Sequence, residues 1–597
     1  MLEVTNVYMP LDAGLEGKAG GRALREAVAR ALDIPEGALK EVYVLKRSVD
    51  ARKKTDVHFV ATLGVELVAG EEAENALLDT PNPHFAKGVN VKKHTLKKVL
   101  KIARCDAALR DPDFLRPVVV GAGPAGLFCA LHLARAGLKP VLIERGDDVE
   151  ARAQAVKKFV RTGVLDIASN IQFGEGGAGA FSDGKLTTGI KDELVGHVLS
   201  GFVAAGAPPE ILWQAKPHIG TDVLPGVVAG LREQIIAAGG EVCFRTQLVG
   251  LHFEGDELAE IELQDTRDAG SAPYRMRASK VVLACGHSAR DTFELLRDSG
   301  IELARKPFSV GVRIEHTQEF INYAQYGRSA AHPALGAADY KLAVHLPQGR
   351  GVYTFCMCPG GSVVAAASEE GGVCTNGMST FARDGKNANS ALLVEVYASD
   401  LAGTDVLAGV ELQRSMERAA FELARREGGA PYAAPAQTVG DFLATRACRE
   451  AACESGARGK AACESGARGK AERSSDEKSS VRTDASISGK KSVVPTYPRG
   501  VVWCDLHECL PPFVADALNE ALPLLDKKLR GFAAADAVMT GVETRSSSPV
   551  RIVRDDNLFA KGVRGLYPAG EGAGYAGGIM SAAVDGLRVA EKIIESF

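Results

Sequence analysis

The chain predicts an α/β fold: a doubly wound domain on a parallel sheet, interrupted by a long mixed α+β stretch and preceded by a small α/β appendage. Three observations predict it. Pro117 to Arg145, PVVVGAGPAGLFCALHLARAGLKPVLIER, reads as strand, glycine turn, helix and second strand. Short apolar runs recur far downstream, at Val281–Ala284 and within Gly565–Ala569, and each enters a glycine loop as a strand buried on both faces does. The 597 residues exceed what a single hydrophobic core holds, and the pattern between those runs is mixed.

Residues 1–105 form the appendage, with a strand over Leu2 to Val7, a helix from Arg22 to Leu32 and a strand over Val42 to Leu45. Its basic cluster, KRSVDARKK from Lys46 to Lys54, is followed by Lys87, Lys92, Lys93, Lys97, Lys98, Lys101 and Arg104, with no acidic residue between Lys87 and Arg104. Leu96, Val99, Leu100 and Ala103 make an apolar stripe opposite Lys97, Lys98 and Lys101, so this region reads as the solvated face of a helix. Residues 106–289 form the first part of the nucleotide domain. After its first two strands come a helix over Val149 to Thr162, a glycine-rich loop, a helix over Leu224 to Ala238 and a set of short antiparallel strands from Glu241 to Leu263. Residues 290–532 read as an inserted domain, with strands at Ser309 to Ile314, Lys341 to Val344, Val352 to Phe355 and Ser362 to Ala366. Within it AACESGARGK, Ala451 to Lys460, repeats unchanged as Ala461 to Lys470. The stretch 447–492 holds too few large aliphatics to offset its ordering entropy and is expected to be a disordered insertion. Residues 533–597 return to the nucleotide domain and end in a helix from Ile579 to Ile594.

The first glycine turn carries the chemistry. Gly121 permits the tight turn, Gly123 lets backbone approach a pyrophosphate, and Gly126 lets the helix pack close to the strand. Pro124 suits a first helical turn. The helix N-terminus directs free N–H groups and a positive dipole end at phosphate, and Glu144 lies about 20 residues beyond the glycines, where a carboxylate accepts ribose hydroxyls. Such a Rossmann-like unit binds an adenine dinucleotide. Three further glycine loops would converge on it. The second, Phe173 to Leu186, is a backbone nest for a flat ring or pyrophosphate rather than a second nucleotide fingerprint. The third is Ala284-Cys285-Gly286-His287. In the fourth, Tyr567 to Ile579, Glu571 can accept a ribityl hydroxyl, and the helix opening near Gly578 can place N–H groups on a ring carbonyl.

The first and last loops together resemble FAD enzymes of the glutathione reductase-like superfamily. SNIQFGEGGAGAFSDGKLTTGIKD (Ser169 to Asp192), KPHIGTD (Lys216 to Asp222), GHSARDTFELL (Gly286 to Leu296), FCMCPGG (Phe355 to Gly361) and GVETRSSSPVRI (Gly541 to Ile552) look like the bacterial FAD-dependent dehydrogenase family. The likeness spans nearly the whole chain and breaks at the duplicated segment. It implies a glutathione reductase-like FAD-binding domain, bound FAD and no settled substrate. It implies flavin contacts from Gly121, Gly123, Pro124, Ala125 and Gly126, with Glu144 and Arg145 after the second strand. From the second loop it implies Gly176, Gly177, Lys185 and Leu186, and from the third Gly286. From the fourth it implies Gly570, Glu571, Gly577, Gly578 and Ile579.

Beyond the flavin, the candidates for catalysis are Arg545, His218, His287 and Cys358. Arg545 can hold an anion bidentately or form an internal ion pair with Glu543. Either histidine can move a proton or be a hydrogen-bonded structural group. Cys356 and Cys358 are a dithiol that can pass electrons beside a flavin, or ordinary buried cysteines. Cys504, His507 and Cys509 lack the further ligands of a metal site, and no metal is expected. Twelve cysteines in so long a chain are no disulfide scaffold. A net charge of −4 supplies no general attraction to nucleic acid or anionic membrane. With no secretory leader and no membrane span read in the chain, a cytoplasmic protein is the expectation. Its expected partner is a small-molecule substrate, with transient NAD(P)H left open, nucleic acid not expected, and the oligomeric state undetermined. The reading is an FAD-dependent oxidoreductase transferring a hydride between flavin N5 and that substrate. The alternative is a flavin-containing protein that binds or modifies RNA through the basic appendage.

Overall fold

The computed structural model describes residues 1–79, 85–95, 100–105, 111–268, 270–454 and 493–597, except for the side chains of 447–454. Its central sheet has five strands in the order 566–568, 281–283, 118–120, 141–143 and 241–243, all parallel. Apart from the edge strand 241–243, each is buried along its whole length, as expected for apolar triplets covered on both faces. Val120 pairs with Ile143 and with Leu283, and Leu283 with Pro568, so four strands end level. The residues that follow them, Gly121, Glu144, Ala284 and Ala569, therefore emerge along one edge, where open α/β sheets bind ligands.

Helices Pro124–Arg135, Leu194–Ala204, Leu224–Ala237 and Ile579–Glu595 share one apolar core over one face of this sheet. The other face is covered by an antiparallel meander, Thr246–Glu254, Glu257–Asp265 and Tyr274–Arg277. This corrects one expectation: Glu241–Cys243 belongs to the parallel sheet, not to the antiparallel set. Helix Leu224–Ala237 is the crossover that returns the chain in parallel beside Val141–Ile143.

A second sheet of seven strands runs in the order 343–345, 351–358, 387–396, 308–317, 538–543, 434–438 and 501–503. All its pairs are antiparallel except 434–438 with 501–503. Strand Val538–Glu543 pairs with Phe308–Thr317 and with Ala434–Thr438, so this sheet extends past the boundary expected at residue 532. A short ladder of Leu303–Arg305 with Val550–Ile552 leads back to the parallel sheet. Among the strands that sequence reading did not name, Asn387–Val396 is one of the most buried; its polar start, NANS, masks the apolar run Ala391–Val394 after it.

Residues 1–93 contain a four-stranded antiparallel sheet in the order 39–50, 58–67, 2–9 and 90–93, with helices Gly17–Leu32 and Gly70–Asp79. The appendage is joined to the rest through the Asp12–His332 pair and through Arg47. Its N–H donates to Trp213 O at 3.0 Å, its carbonyl accepts from Ala215 N at 3.0 Å, and its guanidinium lies 4.8 Å from both the Phe59 and Trp213 rings. Arg52 pairs with Asp50, Lys92 with Glu3 and Lys93 with Glu71, so the basic region is partly neutralised internally. The stripe residues Leu96 and Val99, with Lys97 and Lys98, lie outside the described residues. Of the disordered insertion expected over 447–492, residues 447–454 instead continue helix Val439–Glu454, as their Ala, Arg and Glu content favours, and 455–492 lie outside the described residues.

Candidate functional site

A cavity of about 740 Å³ opens where the parallel strands end. The four glycine loops line one side, and Tyr340, Thr354 to Met357, Asn376 and Glu543 from the second sheet and its loops line the other. The first loop is shaped by two tight approaches. Gly121 has φ +102°, and a Cβ there would lie 2.5 Å from Ala284 O; a Cβ on Gly126 would overlap Gly121 O. The helix that follows starts at Pro124 with no side-chain cap, leaving its first-turn donors available at the cavity.

Glu144 ties the loops together. Its Oε2 accepts from Ala122 N at 2.8 Å, and its Oε1 from Gly146 N at 2.9 Å and Gly174 N at 3.0 Å. The acid that spacing assigns to a ribose therefore also fixes the backbone around it, and Oε2 keeps a lone pair while the residue lines the cavity. The second loop docks on the first: Gly176 N donates to Ala122 O at 2.8 Å, and a Cβ on Gly177 would lie 3.2 Å from Gly123 Cα. The tight side of that backbone contact is Gly177, whose φ of +60° also favours glycine.

The group that holds the second loop is Arg152, which is fully buried. Its guanidinium donates to the carbonyls of Asn170, Ile171, Gly174, Glu175 and Gly177. Burial pulls it down to about 10, opposed by Glu144 and Glu175. Sequence reading passed over it, though the signal was present: Arg152 lies three residues after Val149, on the buried face of its helix, where a cation needs partners.

In the third loop His287 Nε2 lies 3.0 Å from Arg545 O, so Nε2 carries the proton and Nδ1 faces Glu571 Oε1 at 3.6 Å. Burial, with the neighbouring Arg545 cation, pushes His287 down to about 4. Burial also pushes Glu571 up to about 7, against the pull of Lys306. In the fourth loop Gly570 N donates to Asp585 Oδ2 at 2.7 Å, and helix Ile579–Glu595 begins after Gly578, φ +150°, without a side-chain cap.

The cavity wall includes Gly121, Gly123, Pro124, Ala125, Glu144 and Arg145, then Gly177, Lys185, Gly286 and Glu571, and finally Gly577, Gly578 and Ile579. Gly126, Gly176, Leu186 and Gly570 stand behind it and shape it. Of the catalytic candidates, His287 and Arg545 are on the wall, while His218 and Cys358 are not. His218 is held by Phe381, with Nε2 2.9 Å from Phe381 O and the two rings stacked at 5.2 Å. Arg545 does not pair with Glu543. Its Nε and Nη2 donate to Glu417 at 3.0 and 2.8 Å and its Nη1 to Ser368, so the fork expected for an anion is already filled. Glu543 instead accepts from Arg313 Nη1 at 3.0 and 3.1 Å. Glu417 and Arg313 escaped sequence reading because nothing near them in the chain marks their distant partners.

The residues fit FAD: two uncapped helix N-termini, a backbone contact free of Cβ atoms, and a carboxylate with spare acceptor capacity meet around one elongated space. Residues 307–467 and 459–546 match the family described as FAD-dependent protein, C-terminal domain-like. Residues 117–181 match FAD dependent oxidoreductase, and residues 1–66 a domain of unknown function. A Clostridium beijerinckii protein described as "Uncharacterized protein" is 42% identical over 597 residues, covering 100% of this chain and 99% of its own. Among solved structures, a triple mutant of a flavin-dependent brominase aligns over 81% of this chain and 80% of its own at 11% identity, with a TM-score of 0.35. A geranylgeranyl bacteriochlorophyll reductase-like protein from Thermoplasma acidophilum aligns over 80% and 77% at 13% identity, with a TM-score of 0.33. No helix among the described residues is long and apolar enough to cross a membrane. With FAD as its cofactor, the chain belongs, together with the Clostridium beijerinckii protein, to a family of FAD-dependent oxidoreductases.

Proposed function

We propose that this protein is a dehydrogenase or reductase that exchanges a hydride between FAD and a small molecule bound against the second sheet, which acts as an inserted substrate domain. One observation carries the reading: a single cavity has the four glycine loops on one wall and residues of the seven-stranded sheet on the other. When bound, FAD supplies a two-electron centre that gives or takes hydride at N5. The chain's own residues orient it and exclude water. Gly123 and Gly177 would leave room for the pyrophosphate, Glu144 would accept from the adenosine ribose, and Glu571 would accept from the ribityl chain. The N–H groups opening helix Ile579–Glu595 would stabilise a ring carbonyl that gains negative charge on reduction. His287 keeps its proton on Nε2 and positions the Glu571 side of the cavity. Arg545 acts as a positioning residue through its carbonyl, since Glu417 occupies its guanidinium.

Anaerobic reduction of the purified yellow protein, followed at the flavin absorbance, tests this. NADH, NADPH and a panel of reduced organic substrates are offered in turn. Bleaching by one of them and reoxidation by an electron acceptor is the expected result. A protein that carries no flavin, or whose flavin no donor reaches, overturns the proposal.

A further inference from the structure

Cys356 and Cys358 sit at the end of strand Gly351–Cys358, where its ladder with Asn387–Val396 shifts register between Phe355 and Cys358. The irregularity leaves Cys356 at φ +43°, a left-handed conformation uncommon for a residue with a Cβ. Cys356 lines the cavity, and Cys358 lies fully buried, its Sγ donating to Cys356 O at 3.2 Å. Both are free thiols.

Two cations surround the pair. Arg313, itself fully buried, donates from Nη2 to Cys356 O at 2.7 Å and to Cys358 Sγ at 3.3 Å. Lys185, on the second glycine loop and the cavity wall, donates to Met357 O between the two cysteines. The neighbouring Cys358 side chain holds the Cys356 thiol below its ordinary range against burial, Lys185 and Arg313 reinforce this, and burial pushes the Cys358 thiol up. Each cation also has a carboxylate partner, Arg313 in Glu543 and Lys185 in Asp183 at 2.9 Å, and together the two cations still favour a thiolate at Cys356.

We propose that Cys356 and Cys358 are a second two-electron centre that exchanges electrons with the bound flavin. In the forward step the two thiols lose two protons and two electrons as one S–S bond forms between Cys356 and Cys358, and FAD gains both to become FADH2. The reverse step cleaves the S–S bond and returns FADH2 to FAD. Cys356, on the wall, is the thiol that exchanges with a small thiol or disulfide entering the cavity; Cys358 resolves it. The proposal rests on FAD occupying this cavity.

The test uses the full-length flavoprotein. It is oxidised with diamide, freed of reagent, and titrated anaerobically with dithionite while the flavin absorbance is followed; a parallel sample is alkylated before and after reduction and mapped by mass spectrometry. Wild type is expected to consume twice the reducing equivalents per flavin taken up by C356S or C358S, and the peptide spanning both cysteines to gain its two alkyl groups only after reduction. Mapping on wild type needs no variant to fold. If both cysteines are alkylated in the diamide-treated protein and wild type and variants take up equal equivalents, the relay is overturned while the flavin reading stands. A colourless protein overturns both.

Discussion

At the scale of single residues, the site depends on groups whose partners are remote in sequence. Glu571 combines burial with a carboxyl held up to about 7, above its ordinary 4.5. Between those two values the native state keeps a proton that the unfolded chain releases, so this group's contribution makes stability fall as pH rises through the window. Glu571→Gln removes that dependence. Without bound FAD, the variant should gain about 1–3 kcal/mol on wild type between pH 5 and pH 8, read as a rising difference in melting temperature. An unchanged difference would mean that Glu571 titrates in its ordinary range. Glu144 was legible from its distance to the glycines, because that distance is set by one helix and one strand. Arg152 was legible only as a cation on a buried helical face, and its five carbonyl partners were not, because loop geometry chooses them.

At the scale of elements, short apolar triplets and the glycines after them predicted four of the five parallel strands to within a residue or two. Such strands are specified locally, by apolar content and by the turn that must follow. The closing helix shows what packing adds. A Cβ on Gly586, in helix Ile579–Glu595, would overlap Ala125 O in the first helix. Gly586→Val should push the two helices apart and carry Gly578 and Ile579 away from the cavity. The expected result is FAD binding weakened at least about tenfold, equivalent to about 1.4 kcal/mol, with a lower melting temperature. Retention of flavin through gel filtration at wild-type occupancy would contradict it. The seven-stranded sheet was less readable. Strand Val538–Glu543 lies past the expected boundary because its partners come from about 100 and 230 residues upstream, and cross-strand pairing leaves no local periodicity that names them.

At the scale of the whole molecule, the parallel-sheet unit and the second sheet meet around one cavity, and the appendage docks away from it, with Arg47 as a clamp. Arg47→Ala removes the cation–π contact that crosses the junction, to Trp213, and should cost about 0.5–2 kcal/mol of docking. Limited proteolysis should then cut between the appendage and residue 117 faster than in wild type, while the flavin spectrum is kept. Equal proteolysis rates would show that the backbone contacts to Trp213 and Ala215 suffice. The sequence alone marked Gly121 to Gly126 as a turn suited to an adenine dinucleotide, and its paired loops pointed to FAD. Those are consequences of local chemistry, since a tight turn, a helix N-terminus and an acid at fixed spacing need no distant partner to be recognised. Only the tertiary structure decided that Arg545 belongs to Glu417, that His218 stands behind the cavity wall, and that Cys356 faces the same space as the glycine loops. Each of those depends on which surfaces the long chain folds together, and charge pairing and burial act on distance in space, which residue order does not record.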